Sequence, residues 1–537
     1  MATNTKIKRI FIKSMKVLGW ITVSVLALFI LLVILIRLPS VQHKITQRAV
    51  IFLKEKIGTE VQLSRAFIAF PKQIVLEGLY VEDQSADTLA YIGKLVVNAN
   101  LWALTKNSVE VSSVSIEHFT SNIKRTAADS AFNFTYILRA FVGDTTQTPA
   151  DTTSRPWTFK IEDIALQKIS LMYDDRLTGN SADVTLGKLT LPVRAFDPAK
   201  AIYKAGKIKI ENVRAVIEQS KATPATPQAG DSVSGLPVIE VEEIDLRKIA
   251  LTYSHLVKQQ YLNADLKQVY IDMNSMDLQK NFLDIDNIEL KHSFITYNFY
   301  QPEAARVQQP QKNPEPFTGL NIPWTIAVDD INLEDNSIQY FNSALPVQKG
   351  TVDFHHLWLF GLQCQVNDVH VAGNTVRAEI ESFSFQEKSN FSLHMLEADF
   401  KLDEKNLHIG KLRVESGHSK IELAGNATFN SLTDYHTARV DIEIPRSTVA
   451  AKDVLFFAPH LLANVPVKLP RETTITFASK ISGTFNNLTL NNLTAQTLSN
   501  TSLAVQGNIK NISDPDNLTV RVSLDKFYTT STDVRAV

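Results

Sequence analysis

Apolar and polar residues alternate along most of this chain with a period of two. Ala438, Val440, Ile442 and Ile444 alternate with Arg439, Asp441 and Glu443. Leu518, Val520, Val522 and Leu524 alternate with Thr519, Arg521 and Ser523, and Ile208 and Ile210 with Lys207, Lys209 and Glu211. Each stretch reads as a strand with one apolar and one wetted face. From Val376, Ala378 and Ile380 to Phe383 and Phe385 the apolar parity shifts by one position, which predicts a bulge between Ile380 and Phe383. Helices are few. Phe134, Ile137, Leu138 and Phe141 mark a short one, and Asp453–Phe457 another.

The N-terminus follows other rules. Residues 1–16 carry Lys6, Lys8, Arg9, Lys13 and Lys16 and read as a basic cytoplasmic tail. Val17 to Ile36 is uncharged and about long enough to cross ~30 Å of hydrocarbon as a helix. The expected anchor runs from Val17 through Phe29 to Ile36, with Trp20 at an interface. The span is longer than a cleaved leader and ends in Arg37-Leu38-Pro39, a poor cleavage context. Basic residues on both sides only lean the N-terminus toward the cytoplasm. Residues 40–57 then predict an amphipathic helix with Val41, Ile45, Ala49, Phe52, Leu53 and Ile57 on its apolar side and Gly58 past its end. That side packs on the following domain or lies at a membrane surface.

The β region repeats. Pro156-Trp157-Thr158 leads to Ile164, Leu166, Ser170 and Tyr173. Pro237 leads to Ile244, Leu246, Ala250 and Tyr253. Pro323-Trp324-Thr325 leads to Ile331, Leu333, Ser337 and Tyr340. A weaker copy starts at Phe70-Pro71. A long fixed period predicts a stacked modular array over residues 58–537. Polar linkers rich in Pro, Thr and Gln precede the strong copies, near 143–155, 219–235 and 301–319. The array can bury its apolar face as a sandwich, or leave it as an open trough. The alternation alone does not separate the two.

Composition narrows the chemistry. With 55 basic and 56 acidic residues among 537, no basic face for nucleic acid is expected. One cysteine, Cys364, excludes an intrachain disulfide, which suits a bacterial envelope protein. His355, His356, Cys364 and His370 lie close in sequence but lack metal-ligand spacing, so no metal or other cofactor is expected. Asp174-Asp175 reads as a turn after a strand. No nucleophile elbow or phosphate loop occurs, so the chain reads as a non-enzyme. Asn-x-Ser/Thr triplets at Asn487, Asn492, Asn500, Asn511 and Asn517 are expected by chance in such a segment. Triplets at Asp144, Asp151 and Asp231 are similar to a bacterial O-glycosylation signal.

Three stretches carry a family resemblance: Leu38–Leu101, Ser115-Ile116-Glu117 with the Asn-Phe-Thr-Tyr-Ile-Leu run at Asn133, and Phe385–Phe391. The last is similar to a Glu-Lys-Ser-Gly-Phe motif with Asn390 in place of glycine. Together they resemble the N-terminal part of TamB-type translocation and assembly module proteins, in the wider AsmA-like group. The resemblance implies a bacterial inner-membrane protein with one span and its bulk in the periplasm. It also implies a U-shaped antiparallel β groove with a hydrophobic interior, which favours the trough. The partners implied are phospholipid acyl chains, the inner membrane and a BamA-like outer-membrane protein. Alternatives are an assembly factor for outer-membrane β-proteins and a structural envelope stalk. Val440, Ile442, Val520 and Val522 are the expected groove-facing residues. TamB-type proteins are longer and end in a β domain not visible before Val537, so a segment or a short member is expected, with about 30 strands at ~4.8 Å.

Overall fold

A computed structural model describes residues 20–28, 31, 34, 38–69, 73–100, 108–126, 131–142, 158–197, 201–222, 237–302, 322–430, 438–457, 470, 472–484, 486–512 and 517–536. It divides into two units, residues 1–196 and 197–537. The described chain is mostly strand, with few helices.

In the first unit, helix α1 (Pro39–Ile57) precedes β1 (Val61–Ala69), β2 (Gln73–Glu82), β3 (Thr88–Ala99) and β4 (Ser108–Arg125). These four strands form an antiparallel meander. Helix α2 (Thr135–Val142) follows, then β5 (Thr158–Asp175), parallel to β4, and β6 (Asn180–Asp197), antiparallel to β5.

In the second unit β7 (Ile202–Gln219) pairs in parallel with β8 (Val238–His255), and β8 pairs antiparallel with β9 (Gln260–Asp277). Two short strands, β10 (Phe282–Lys291) and β11 (Phe294–Phe299), share the other side of β9, and both run parallel to β12 (Ile322–Asn342). An antiparallel meander follows: β13 (His356–Gly373), β14 (Thr375–Glu387), β15 (Ser392–Leu402), β16 (Asn406–Ser416), β17 (Lys420–Thr428) and β18 (Arg439–Ala450). Helix α3 (Ala451–Phe457) interrupts it. Then come β19 (Thr474–Thr484), β20 (Asn487–Thr497), β21 (Thr501–Lys510), β22 (Thr519–Tyr528) and helix α4 (Ser531–Ala536).

The topology is therefore mixed, not antiparallel throughout. Its strands number 22 among the described residues rather than about 30, because many run to 18 residues or more. Each parallel pairing falls where a strong copy of the repeat begins, at β5, β8 and β12. A parallel neighbour needs a connection that returns to the far end of the preceding strand. The polar stretches in 143–157, 223–236 and 303–321, which lie outside the described residues, sit in those connections.

The expected anchor is described only in part. Trp20–Leu28 is helical, with Trp20 at 74% exposure. The tail, Val17, Phe29 and Ile36 lie outside the described residues. No helix among the described residues is long and apolar enough to cross a membrane.

Helix α1 forms as its pattern predicts, with Pro39 opening it and Gly58 closing it at φ +74°. Of its expected apolar side, Val41, Ile45, Ala49, Leu53 and Ile57 are half-buried, and two polar residues beside them are buried further. Gln42 and Thr46 are buried, whereas Ile51 and Phe52 are exposed. Thr46 accepts the Ala66 N–H at Oγ1 (2.9 Å), and Arg65 reaches Gln42 Oε1 at 3.3 Å. The helix thus lies on the outer edge of β1, where strand backbone groups need polar partners.

Candidate functional site

Cross-strand register aligns the apolar positions into rows. In the first unit one row runs Ala66, Leu76, Leu95, Ile116, Leu166 and Leu189, and its neighbour runs Ile68, Ile74, Val97, Val114, Ile164 and Leu191. In the second unit Ile208, Ile244, Ile271, Ile288, Ile331 and Val366 continue through Ile380, Ala398, Leu412 and Leu423. Beside it lies a second row from Ile210 through Leu246, Val269, Leu290 and Leu333 to Cys364, Phe383, Leu396, Val414 and Ile421. Parallel and antiparallel seams both preserve the rows.

These side chains are only half-buried. Of the twenty positions in the second unit's two rows, Ala398 alone is fully buried. A closed sandwich stacks a second layer on such positions and brings them near zero exposure. Here nineteen of the twenty keep partial exposure, although Phe383, Leu396 and Val414 pack against buried Val352, Phe391 and Leu393. Burial pushes the Cys364 thiol pKa up, as its apolar row requires. The opposite face is charged: Lys411 pairs with Glu397, Lys420 with Glu422 (3.4 Å) and Lys480 with Glu443 (3.1 Å). These pairs are largely exposed, so each adds little stability but keeps that face wet.

A line of left-handed residues crosses the strands beside the rows. Two residues past Leu166, Leu246 and Leu333, the chain takes φ +54° at Lys168, +56° at Lys248 and +49° at Asp335. Facing residues on the neighbouring strands do the same: His118 (+56°), Asn212 (+58°) and His292 (+50°). The facing residues turn together, so the apolar parity shifts by one position in both strands while their pairing keeps the same register on either side. At the break between β10 and β11, Asn336 supplies the missing partners. Its Oδ1 accepts the Ser293 N–H at 2.9 Å, and its amide donates to Leu290 O at 2.7 Å. The bulge predicted between Ile380 and Phe383 is present as a register shift.

The expected groove residues fall on two further rows. Val440 leads through Gly483, Leu488 and Ile509 to Val520, and Ile442 through Ile481, Leu490 and Gly507 to Val522. Val440 is 9% exposed, whereas Val520 and Val522 on β22 are 54% and 57% exposed.

Near α3 the open face runs into a cavity of about 390 Å³. Leu357, Leu359, Phe385 and Val414 form its floor, and Phe391, Phe457 and Phe354 its walls. The Phe391 and Phe457 rings meet edge-on at 4.7 Å. Phe391 is held by the turn before it, where Asn390 adopts φ +75°. That conformation suits the glycine that Asn390 replaces in the resembling motif, and Asn tolerates it.

Sequence reasoning missed a set of buried polar groups at strand ends. Two residues past Tyr173, Tyr253 and Tyr340 stand Asp175, His255 and Asn342, at 1%, 3% and 0% exposure. Asp175 accepts hydrogen bonds from Arg125, Leu177 and Thr178, so its predicted turn role includes an ion pair. Asn342 bonds both N and O of Gln301. Below α3, Asp453 Oδ2 accepts from Ser416 (2.8 Å), Ser419 (2.7 Å) and the His418 N–H (3.1 Å). Burial pushes the Asp453 carboxyl pKa up, but these donors outweigh it and hold it below its ordinary value. The shared position after each Tyr was the available signal. It is hidden because Asp, His and Asn differ as letters while doing one job.

His356 and His370 stand near opposite ends of β13 and do not converge, and His356 Nδ1 lies 2.9 Å from Asp353 Oδ2. Among the described residues no group of three or more metal-ligating side chains comes together. No protein-family model matches this chain, and no curated protein matches it.

Proposed function

We propose that this chain is a non-enzymatic lipid conduit of the TamB and AsmA-like kind, carrying phospholipid toward the bacterial outer membrane. Residues 17–36 anchor it in the inner membrane, and the β region lies in the periplasm. Acyl chains lie along the apolar rows while headgroups stay in water. The observation that carries this reading is the half-buried state of two adjacent apolar rows, unbroken over ten strands of the second unit. Each methylene moved from water onto such a surface gains up to about 0.8 kcal/mol. A row with no polar interruption lets a chain advance without exposing itself between steps.

A second reading is an assembly factor for outer-membrane β-proteins working with a BamA-like partner. Among the described residues β22 pairs only with β21, and all ten of its residues are exposed. Such an edge suits strand addition by another polypeptide.

Photocrosslinking separates the two. The full-length protein carries a photoreactive residue at Ile288, Ile331 or Val522, and adducts are identified by mass spectrometry. Phospholipid adducts at Ile288 and Ile331 support the conduit. Polypeptide adducts at Val522, with none to lipid at the row positions, overturn it in favour of the assembly factor.

A further inference from the structure

We propose that the cavity beneath α3 is a holding site for lipid hydrocarbon, a place where an acyl chain leaves the apolar rows and is partly enclosed. This rests on the conduit reading. Size suits an acyl chain. The space is about 390 Å³ and half open to solvent, so hydrocarbon can lie in it and continue outward.

The lining argues for hydrocarbon. Its polar members are Glu387, Asp453, Ser416 and Ser419, with no Lys, Arg or His. Glu387 accepts the Ser389 N–H at 2.8 Å, and Asp453 takes both serine hydroxyls. Glu387 is thus served by backbone N–H, and Asp453 and the serines by one another, so none asks for a polar ligand. Two carboxylates and no cation also keep a phosphate or fatty-acid headgroup outside.

Position argues for a connection to the rows. Val414 and Ile421 end the ten-strand row, and both line the cavity. Phe354 and Phe457 line it too, yet they are 59% and 48% exposed, with ring centroids 6.5 Å apart. Exposed aromatic rings on an apolar cavity mark its mouth.

The test uses the full-length protein reconstituted in vesicles of phosphatidylethanolamine and phosphatidylglycerol. These contain phosphatidylethanolamine with a diazirine on one acyl chain. Labelled peptides are mapped by mass spectrometry. Label is expected on Val352–Leu359 and on α3 as well as on row residues such as Ile288. Val454→Trp, which fills the cavity, should cut label there about tenfold and leave label at Ile288 unchanged. Phe457→Ser, which removes the ring at the mouth, should also reduce it. Competing lysophosphatidylethanolamines should gain up to about fourfold per added methylene. Label on the rows with none in the cavity, or cavity label that competitors displace without regard to chain length, overturns the holding site and leaves the conduit standing. Label in neither place overturns both.

Discussion

Arg125 Nε donates to Asp175 Oδ1 at 2.9 Å, which ties the end of β4 to the end of β5 across a parallel seam. The Asp175 side chain is 2% exposed, and Arg125 also lies over the Phe132 ring at 4.5 Å. The Arg125 bond holds the Asp175 carboxyl pKa well below the usual carboxylate range, against burial, and Thr178 adds to it. A depressed value means that the carboxylate contributes its full stability above its unfolded pKa of about 3.9. The contribution falls away as pH drops below that toward the folded value. Asp175→Ala should weaken the first unit by about 1–3 kcal/mol. In urea melts the gap to wild type should hold from about pH 7 to about pH 4 and narrow below that.

Charge at two of the expected groove positions should separate buried from open sites. Val440→Glu places a carboxylate at a position only 9% exposed and should cost about 3 kcal/mol. Val522→Glu, at 57% exposure, should change stability by no more than about 0.5 kcal/mol. Chemical denaturation of both variants checks the contrast.

Ile288 sits mid-row and half-buried, with Ile271 and Ile331 beside it. Ile288→Glu should leave circular dichroism unchanged and cost about 1 kcal/mol of stability. Recovery of phospholipid with the protein from membranes should fall by at least about tenfold. Lipid analysis by mass spectrometry measures it.

Two glycines should respond differently to Ala. Gly78 has φ +65°, and an added Cβ would lie 2.9 Å from the Ser64 Cβ. Gly361 has φ +58°, with nothing within 4 Å of an added Cβ. Gly361→Ala should cost about 1 kcal/mol from backbone strain alone, and Gly78→Ala clearly more, because contact adds to strain. Thermal melts rank the pair.

Thr46→Val keeps the shape of α1 but removes the hydroxyl that serves the Ala66 N–H. A loss of about 1 kcal/mol is expected. Hydrogen exchange at Ala66 and Phe67 should quicken, while β3 and β4 keep their protection.

Much of the fold is legible in the sequence. Alternation marks β7, β18 and β22, the parity shift marks the bulge in β14, and the Pro-to-Tyr repeat marks β5, β8 and β12. The parallel seams are not legible, because alternation fixes which face a residue takes but not which strand lies beside it. The packed side of α1 is legible for Val41, Ile45, Ala49, Leu53 and Ile57 but not for Gln42 and Thr46, which are buried because a strand edge offers backbone N–H and C=O groups. The α3 cavity is hidden for a similar reason. Phe354, Phe391 and Phe457 are far apart in sequence and meet only through the register of β13 to β18.

The facing left-handed residues have a consequence for how the parallel seams hold their register. Lys168 faces His118, Lys248 faces Asn212 and Asp335 faces His292, each two residues past an apolar row. A slip of two residues at one of these seams keeps the apolar parity but sets each left-handed residue against an extended one. The backbone bend is therefore a key that locks the one neighbour that alternation leaves free to slide.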